Sequence, residues 1–231
     1  MIIVHELIVK TYCLKPIADS KTLESISSLI DKTFLLSDDM CKYHNAREYK
    51  FYSHDTFAPW SRNGVSIGEI RSFKIRTVDS KLKDYLMANL LELSTDSLLV
   101  LYVTEKVIPK GALNSIESVT PLILKSEVGY WRNNYSEEFF IDRVTTNLIK
   151  KYNAFTGKNI PLAGVELFDE ITLKKSHIKR MYKNITLFGD RYIFNLKDNE
   201  LSQSLGYFSL GVGLAEMCPR GFSFMQYQYK K

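Results

Sequence analysis

Residues 41–55, CKYHNAREYKFYSHD, hold two of the four histidines, His44 and His54, among Lys42, Arg47 and Lys50. Histidine is the side chain whose ordinary charge change falls near neutrality. A histidine surrounded by cations resists a further positive charge, which suits a general base. The plainer alternative for His44 is a solvated loop histidine with no task. His54 falls inside an alternating strand pattern, where a packed or edge position is the simpler reading. The same holds for His5 and His177. No two histidines stand at metal-ligand spacing, and neither HExxH nor a carboxylate cluster is present. The expected chemistry is therefore acid–base catalysis without metal or cofactor.

Two further stretches bear on binding. Residues 174–184, KKSHIKRMYKN, gather Lys174, Lys175, Lys179, Arg180 and Lys183 in a segment expected to be a hairpin. Strict alternation puts Lys175, Lys179 and Lys183 on one face and Lys174 and Arg180 on the other. Such a ribbon can lie against a phosphate backbone or enter a groove. A solvated hairpin is the bland alternative. Residues 210–225, LGVGLAEMCPRGFSFM, carry Gly211, Gly213 and Gly221 beside Arg220. Bare backbone can approach a phosphate, yet neither GxGxxG nor GK[ST] is present. Trp131, beside Arg132, reads as a packing residue rather than a stacking platform.

The elements that must position these groups follow from periodicity. Residues 2–10 favour Ile and Val and read as a strand. Leu23, Ile26, Leu29, Ile30 and Phe34 keep helical spacing behind Asp19 or Ser20. SDDMCKYHNARE then reads as a loop, YKFYSHDTF as a strand, NGVSIG as a turn and EIRSFKIRT as a strand. A helix follows with Leu82, Leu86 and Leu90 on one stripe, and then the strand DSLLVLYVTEKV. This βαββαβ order is the ferredoxin-like arrangement. The second half repeats it more loosely, with SIESVTPLILKS, the helix SEEFFIDRVTTNLIKKY, a long hairpin, a short helix and GFSFMQYQY. The expected fold is α+β, with two tandem modules over residues 1–108 and 109–231, joined near Pro109 and Gly111.

Composition permits this architecture and narrows the partners. The formal charge is +5, a mild basic excess that allows a polyanion partner without demanding one. Three cysteines at long spacing, with no CxxC, argue against a disulfide framework or zinc site and fit reduced thiols in a cytoplasm. The apolar start MIIVHELIVK is interrupted by His5, Glu6 and Lys10, so it reads as a strand and not as a signal peptide or membrane span.

Together these stretches resemble the CRISPR-associated endoribonucleases that process precursor RNA, within the RAMP superfamily. EITLKKSHIKRMYKNITLFGDRYIFNLKDNELSQSL leading into GVGLAEMCPRGFSF is similar to that family's basic hairpin, short helix and terminal glycine-rich loop. Ser118-Val119-Thr120-Pro121 is similar to its Ser-x-Pro strand, one residue longer, and Ser223 replaces the final loop glycine. YHNAREYKFYSHDTF resembles the stretch that often carries the catalytic histidine. The resemblance places His44 in that role, with Lys50 as companion cation and His54 in reserve. Some members carry a tyrosine in the first helix; here that helix has Asp31 and Phe34 and no tyrosine, so the role is either absent or filled by Tyr43 or Tyr49. The implied partner is CRISPR repeat RNA, lying across the cleft between the modules on the hairpin and on Lys74 and Arg76, with the loop of Gly211, Gly213, Arg220 and Gly221 packing its backbone against that RNA or against the facing module. The implied reaction is attack by the 2′-hydroxyl, giving a 2′,3′-cyclic phosphate and a 5′-hydroxyl. Association with effector-complex subunits and a homodimer are both compatible. Two other readings share the fold: a guide-holding subunit without nuclease activity, and an interaction module that binds no RNA.

Overall fold

The computed structural model describes every residue except Val128, Ala163 and Lys231. In the first module β1 (Val4–Cys13) runs antiparallel between β3 (Ile70–Thr77) and β4 (Leu98–Ile108), and the short β2 (Tyr52–His54) pairs with β3. The sheet order is β2-β3-β1-β4. Helices α1 (Thr22–Phe34) and α3 (Ser80–Leu90) lend their apolar stripes to its core. Ile26, Leu29, Ile30 and Phe34 of α1 meet Leu7, Val9, Phe73 and Ile75 of the strands and Leu82, Leu86 and Leu90 of α3. The Asp79 carboxylate starts α3 by accepting the Lys81 and Leu82 N–H groups.

The second module repeats the plan. Strand β5 (Leu113–Ser118) lies between β7 (Ile185–Leu196) and β8 (Met225–Tyr229), and β6 (Phe168–Tyr182) pairs with β7 in the long hairpin. The order β6-β7-β5-β8 is the same permutation as in the first sheet. Ser136 caps α4 (Glu137–Thr156), which ends on the left-handed Gly157. Asn199 caps α5 (Glu200–Val212).

Two local expectations change. Residues 38–45, read as loop, form a short helix α2 (Asp38–Asn45), with two aspartates in its first turn, where the helix dipole favours them. Its Met40 and Tyr43 lean on the first core, an apolar pair too sparse to announce a helix. NGVSIG is not a simple hairpin turn. Residues 55–69 form a long connection tied down by the bridges Ala58–Ser72 and Ile17–Val65.

The modules share one packed seam. Val4, Val78 and Ile108 of the first half belong to the core of the second. The Tyr207 hydroxyl accepts the Val4 N–H at 3.2 Å and donates to the Ile108 carbonyl at 2.7 Å. Arg76 stands in the middle of the seam, 4% exposed. Its Nε donates to Glu6 at 2.7 Å, its Nη1 donates to the Met225 carbonyl, and its guanidinium lies 4.5 Å from the Phe224 ring centre.

Candidate active site and nucleic-acid interface

Helix α1 organises the site because two elements, one from each module, meet its flank. Its apolar stripe faces the first sheet, which leaves Ser27 and Asp31 beside the second module. Arg220 arrives on a 3-10 turn (Cys218–Arg220) and its Nη1 donates to Asp31 Oδ2. The His44 ring, in the last turn of α2, stacks on Phe34 with centroids 5.5 Å apart and 28° between planes. His44 Nδ1 lies 3.6 Å from Asp31 Oδ1. His44 Nε2 has no partner among the described residues, and the side chain is 22% exposed. The ring therefore has a carboxylate near one edge and no protein partner on the other among the described residues.

Lys50 follows α2 in the chain and folds back onto its end. Its ammonium donates to the carbonyls of Tyr43 and Ala46 at the C-terminus of α2 and rests 4.5 Å from the Tyr43 ring centre. Burial lowers its pKa from the ordinary lysine value. Lys50 thus stabilises the turn that carries His44, as a cation should at a helix C-terminus. The Tyr43 hydroxyl is buried, and burial pushes its pKa well up. Tyr43 consequently supports Lys50 and does not reach a substrate; its role as a catalytic group is corrected on that ground. His54 is corrected likewise. It is fully buried, with Nε2 3.0 Å from the Ser27 hydroxyl and Nδ1 2.8 Å from the Asp55 carbonyl.

The glycine-rich segment faces protein. Gly211 is helical, and a Cβ there would come within 2.7 Å of Val78 Cγ1. Gly221 is left-handed, with φ +83°, and a Cβ there would lie 2.5 Å from His54 Cε1 and 2.8 Å from Leu23 Cδ2. Gly213 is buried against Cys218. None of the three offers backbone to RNA; they allow the segment to approach α1 and β2, and so bring Arg220 to Asp31. Arg76 is also withdrawn as an RNA contact, because the strand face it shares with Lys74 turns into the seam. Lys74 is half-buried.

Lys151 was not singled out in the sequence. Buried on α4, it donates to the Gly213 carbonyl at 3.3 Å and the Ala215 carbonyl at 2.6 Å, with Cys218 Sγ at 3.3 Å. It locks the segment ahead of Arg220. The only signal was a lysine one position from the apolar stripe Val144, Leu148, Tyr152.

The basic hairpin forms, but strict alternation fails in it. Register shifts at Lys175 and Ile178, and His177 has φ +54°. The buried Asp190 pins this bulge by accepting the His177 N–H at 3.1 Å, together with Trp131 Nε1 at 2.9 Å and Arg132 Nε at 3.1 Å. Trp131 is thus a packing residue, 1% exposed. Past the bulge, Lys175 joins Ile178 and Arg180 along a cavity of about 390 Å³ between the modules, whose rim includes Trp60 and Arg191. Lys179 faces outward, and Lys183 sits in the turn with Asn184, both at positive φ. Lys174 is neutralised by Glu117 at 2.7 Å. Lys175 and Lys179 are exposed and carry no ion pair among the described residues. Met181 and Ile185 stand exposed beside them.

Two tandem ferredoxin-like modules with a basic hairpin and a helix–loop–strand ending define a RAMP-type protein. The model of the family described as CRISPR associated protein Cas6, C-terminal, matches residues 103–227. That is more than half of the chain, which belongs to the Cas6 family. A solved CRISPR associated protein Cas6 is similar over 97% of this chain and 99% of its own, at TM-score 0.71 and 16% identity. A Cas6-related protein from Pyrococcus furiosus gives TM-score 0.69 at 15% identity, over 99% of this chain and 100% of its own. Thermus thermophilus Cas6 gives 0.58 at 12%, over 99% of both chains. At these identities the likeness establishes the fold. No curated protein matches the chain in sequence.

Proposed function

We propose that this protein binds CRISPR repeat RNA and cuts it as a metal-independent endoribonuclease in the cytoplasm. The observation that carries the reading is His44. It stands on an ordered helical turn, stacked on Phe34, with Nδ1 3.6 Å from Asp31 and Nε2 without a partner among the described residues, within reach of the element that brings Arg220. Family membership supports it. So do the similar folds, which include a RAMP protein binding different RNA substrates and Cas6 product and substrate-mimic complexes.

In the proposed reaction the RNA enters along the hairpin, with Lys175, Lys179 and Arg180 on its phosphates. His44 Nε2 takes the proton of the 2′-hydroxyl as O2′ bonds to phosphorus. The bond from phosphorus to O5′ breaks, and the leaving oxygen takes up a proton. The products are a 2′,3′-cyclic phosphate and a 5′-hydroxyl. General base help of this kind is worth about 10²–10⁴-fold. Lys50 steadies charge on the phosphate once RNA draws its ammonium off the α2 carbonyls.

The test is cleavage of labelled repeat RNA in excess chelator. Wild type cuts at one site; His44→Ala binds with similar affinity and loses cutting by about 10²-fold or more. A 2′-deoxy nucleotide at the scissile position stops cutting and spares binding. Equal cutting by both proteins removes His44 from the mechanism. One feature favours a guide-holding subunit without nuclease activity: the Lys50 ammonium is bound by two backbone carbonyls. Tight binding with no cleavage by wild type would support that reading.

A further inference from the structure

We propose that Asp31, clamped by Arg220, is a positioning residue that sets the tautomer of His44. This rests on the catalytic reading of His44. Asp31 and Phe34 lie three residues apart on α1 and so share one face. Phe34 holds the flat side of the His44 ring, and Asp31 meets its Nδ1 edge. Asp31 divides its two oxygens. Oδ2 accepts from Arg220 Nη1. Oδ1 is buried, has no hydrogen-bond partner and lies 3.6 Å from His44 Nδ1.

A buried carboxylate oxygen without a donor is costly, because it has given up water for nothing. Nδ1–H is the donor within reach. A ring shift of under about 1 Å closes the hydrogen bond, and catalytic hydrogen bonds are often long before substrate binds. With Nδ1 as donor, Nε2 keeps its lone pair free of any protein donor among the described residues, which is the form a general base needs. Because Arg220 comes from the second module and Asp31 from the first, the glycine-rich segment fixes His44 from across the seam. Lys151, holding the carbonyls of Gly213 and Ala215, supports the same chain of contacts.

Asp31→Asn separates this role from simple docking. Arginine only donates, so Arg220 claims the amide oxygen and leaves the –NH₂ aimed at Nδ1. Nδ1 then accepts, the proton moves to Nε2, and the base is disabled. The expected result is a fall in kcat of about 10²-fold or more, with KM for repeat RNA within about threefold, and partial recovery in Asp31→Glu. Nitrogen-15 spectra of the free protein should show His44 as the Nδ1–H tautomer in wild type and the Nε2–H tautomer in the variant. Thermal unfolding identifies any preparation that has lost its fold. Unchanged tautomer and kcat in folded Asp31→Asn would overturn the proposal. So would a loss of cutting matched entirely by weaker RNA binding. If wild type cuts no RNA, the catalytic reading fails, while the tautomer spectra still decide whether Asp31 sets His44.

Discussion

His54 and Asp55 are both buried, and burial drives their proton equilibria in opposite ways. The imidazole is pushed down to about 4 by desolvation. The carboxyl is pushed up to about 7 by desolvation, against the backbone hydrogen bond from Lys74. From pH about 4 to 6.5 the unfolded histidine is protonated and the folded one is not, so its contribution to stability rises with pH. From about 3.8 to 7 the folded aspartate keeps a proton that the unfolded one has lost, so its contribution falls as pH rises. The two slopes oppose each other over the shared window. Asp55→Asn removes the falling one and keeps an oxygen for the Lys74 N–H. Its stability relative to wild type should therefore increase between pH 4.5 and pH 7.5, read from urea midpoints. An equal difference at both pH values would show that Asp55 is not held protonated.

At the scale of the element, the hairpin turns a run of charge into a surface with two sides. The bulge at His177 places Lys175 on the cavity side and leaves Lys179 outside. Each cation that neutralises a phosphate contributes about 0.7–0.9 to the slope of log affinity against log salt. Lys179→Ala should flatten that slope by about this amount, measured by fluorescence anisotropy of labelled repeat RNA at several salt concentrations. Lys174→Ala should change it less, because Glu117 already neutralises Lys174. Identical slopes for wild type and Lys179→Ala would remove the outer face from the RNA path. The periodicity of residues 168–196 made the hairpin legible. The bulge was not, because it depends on Asp190, which meets His177 only after the chain has turned back.

At the scale of the whole molecule, the modules meet at Arg76, which is held by Glu6 of its own module and donates to the Met225 carbonyl of the other. Burial raises the Glu6 carboxyl, yet Arg76 and Lys106 outweigh it and hold the group below its usual value. Arg76→Ala leaves Glu6 with Lys106 as its one remaining ion-pair partner among the described residues, so the cost should approach, without reaching, the roughly 3–5 kcal/mol typical of breaking a buried pair. Calorimetry should show a markedly lower melting temperature, with the unfolding of the two modules less tightly coupled. A melting temperature within a degree of wild type would mean that the seam rests on Tyr207 and its apolar neighbours instead. The glycine-rich segment belongs to this scale as well. Its bare backbone serves the seam, where Gly221 lies against His54 and Leu23.

The sequence by itself determined the two βαββαβ repeats, because alternation and helical spacing are local consequences of which side chains must leave water. It also determined the long hairpin with its lysines. Only the tertiary structure decided which cations are free. Lys74 and Arg76 follow the same alternation as an exposed strand face, and nothing local reveals that a second module covers it. His54 is enclosed for the same reason, by a glycine more than 160 residues away. Asp31 was visible only as a missing tyrosine. Its meaning required Arg220 on one oxygen and His44 near the other, a contact that forms only when the two modules close on α1.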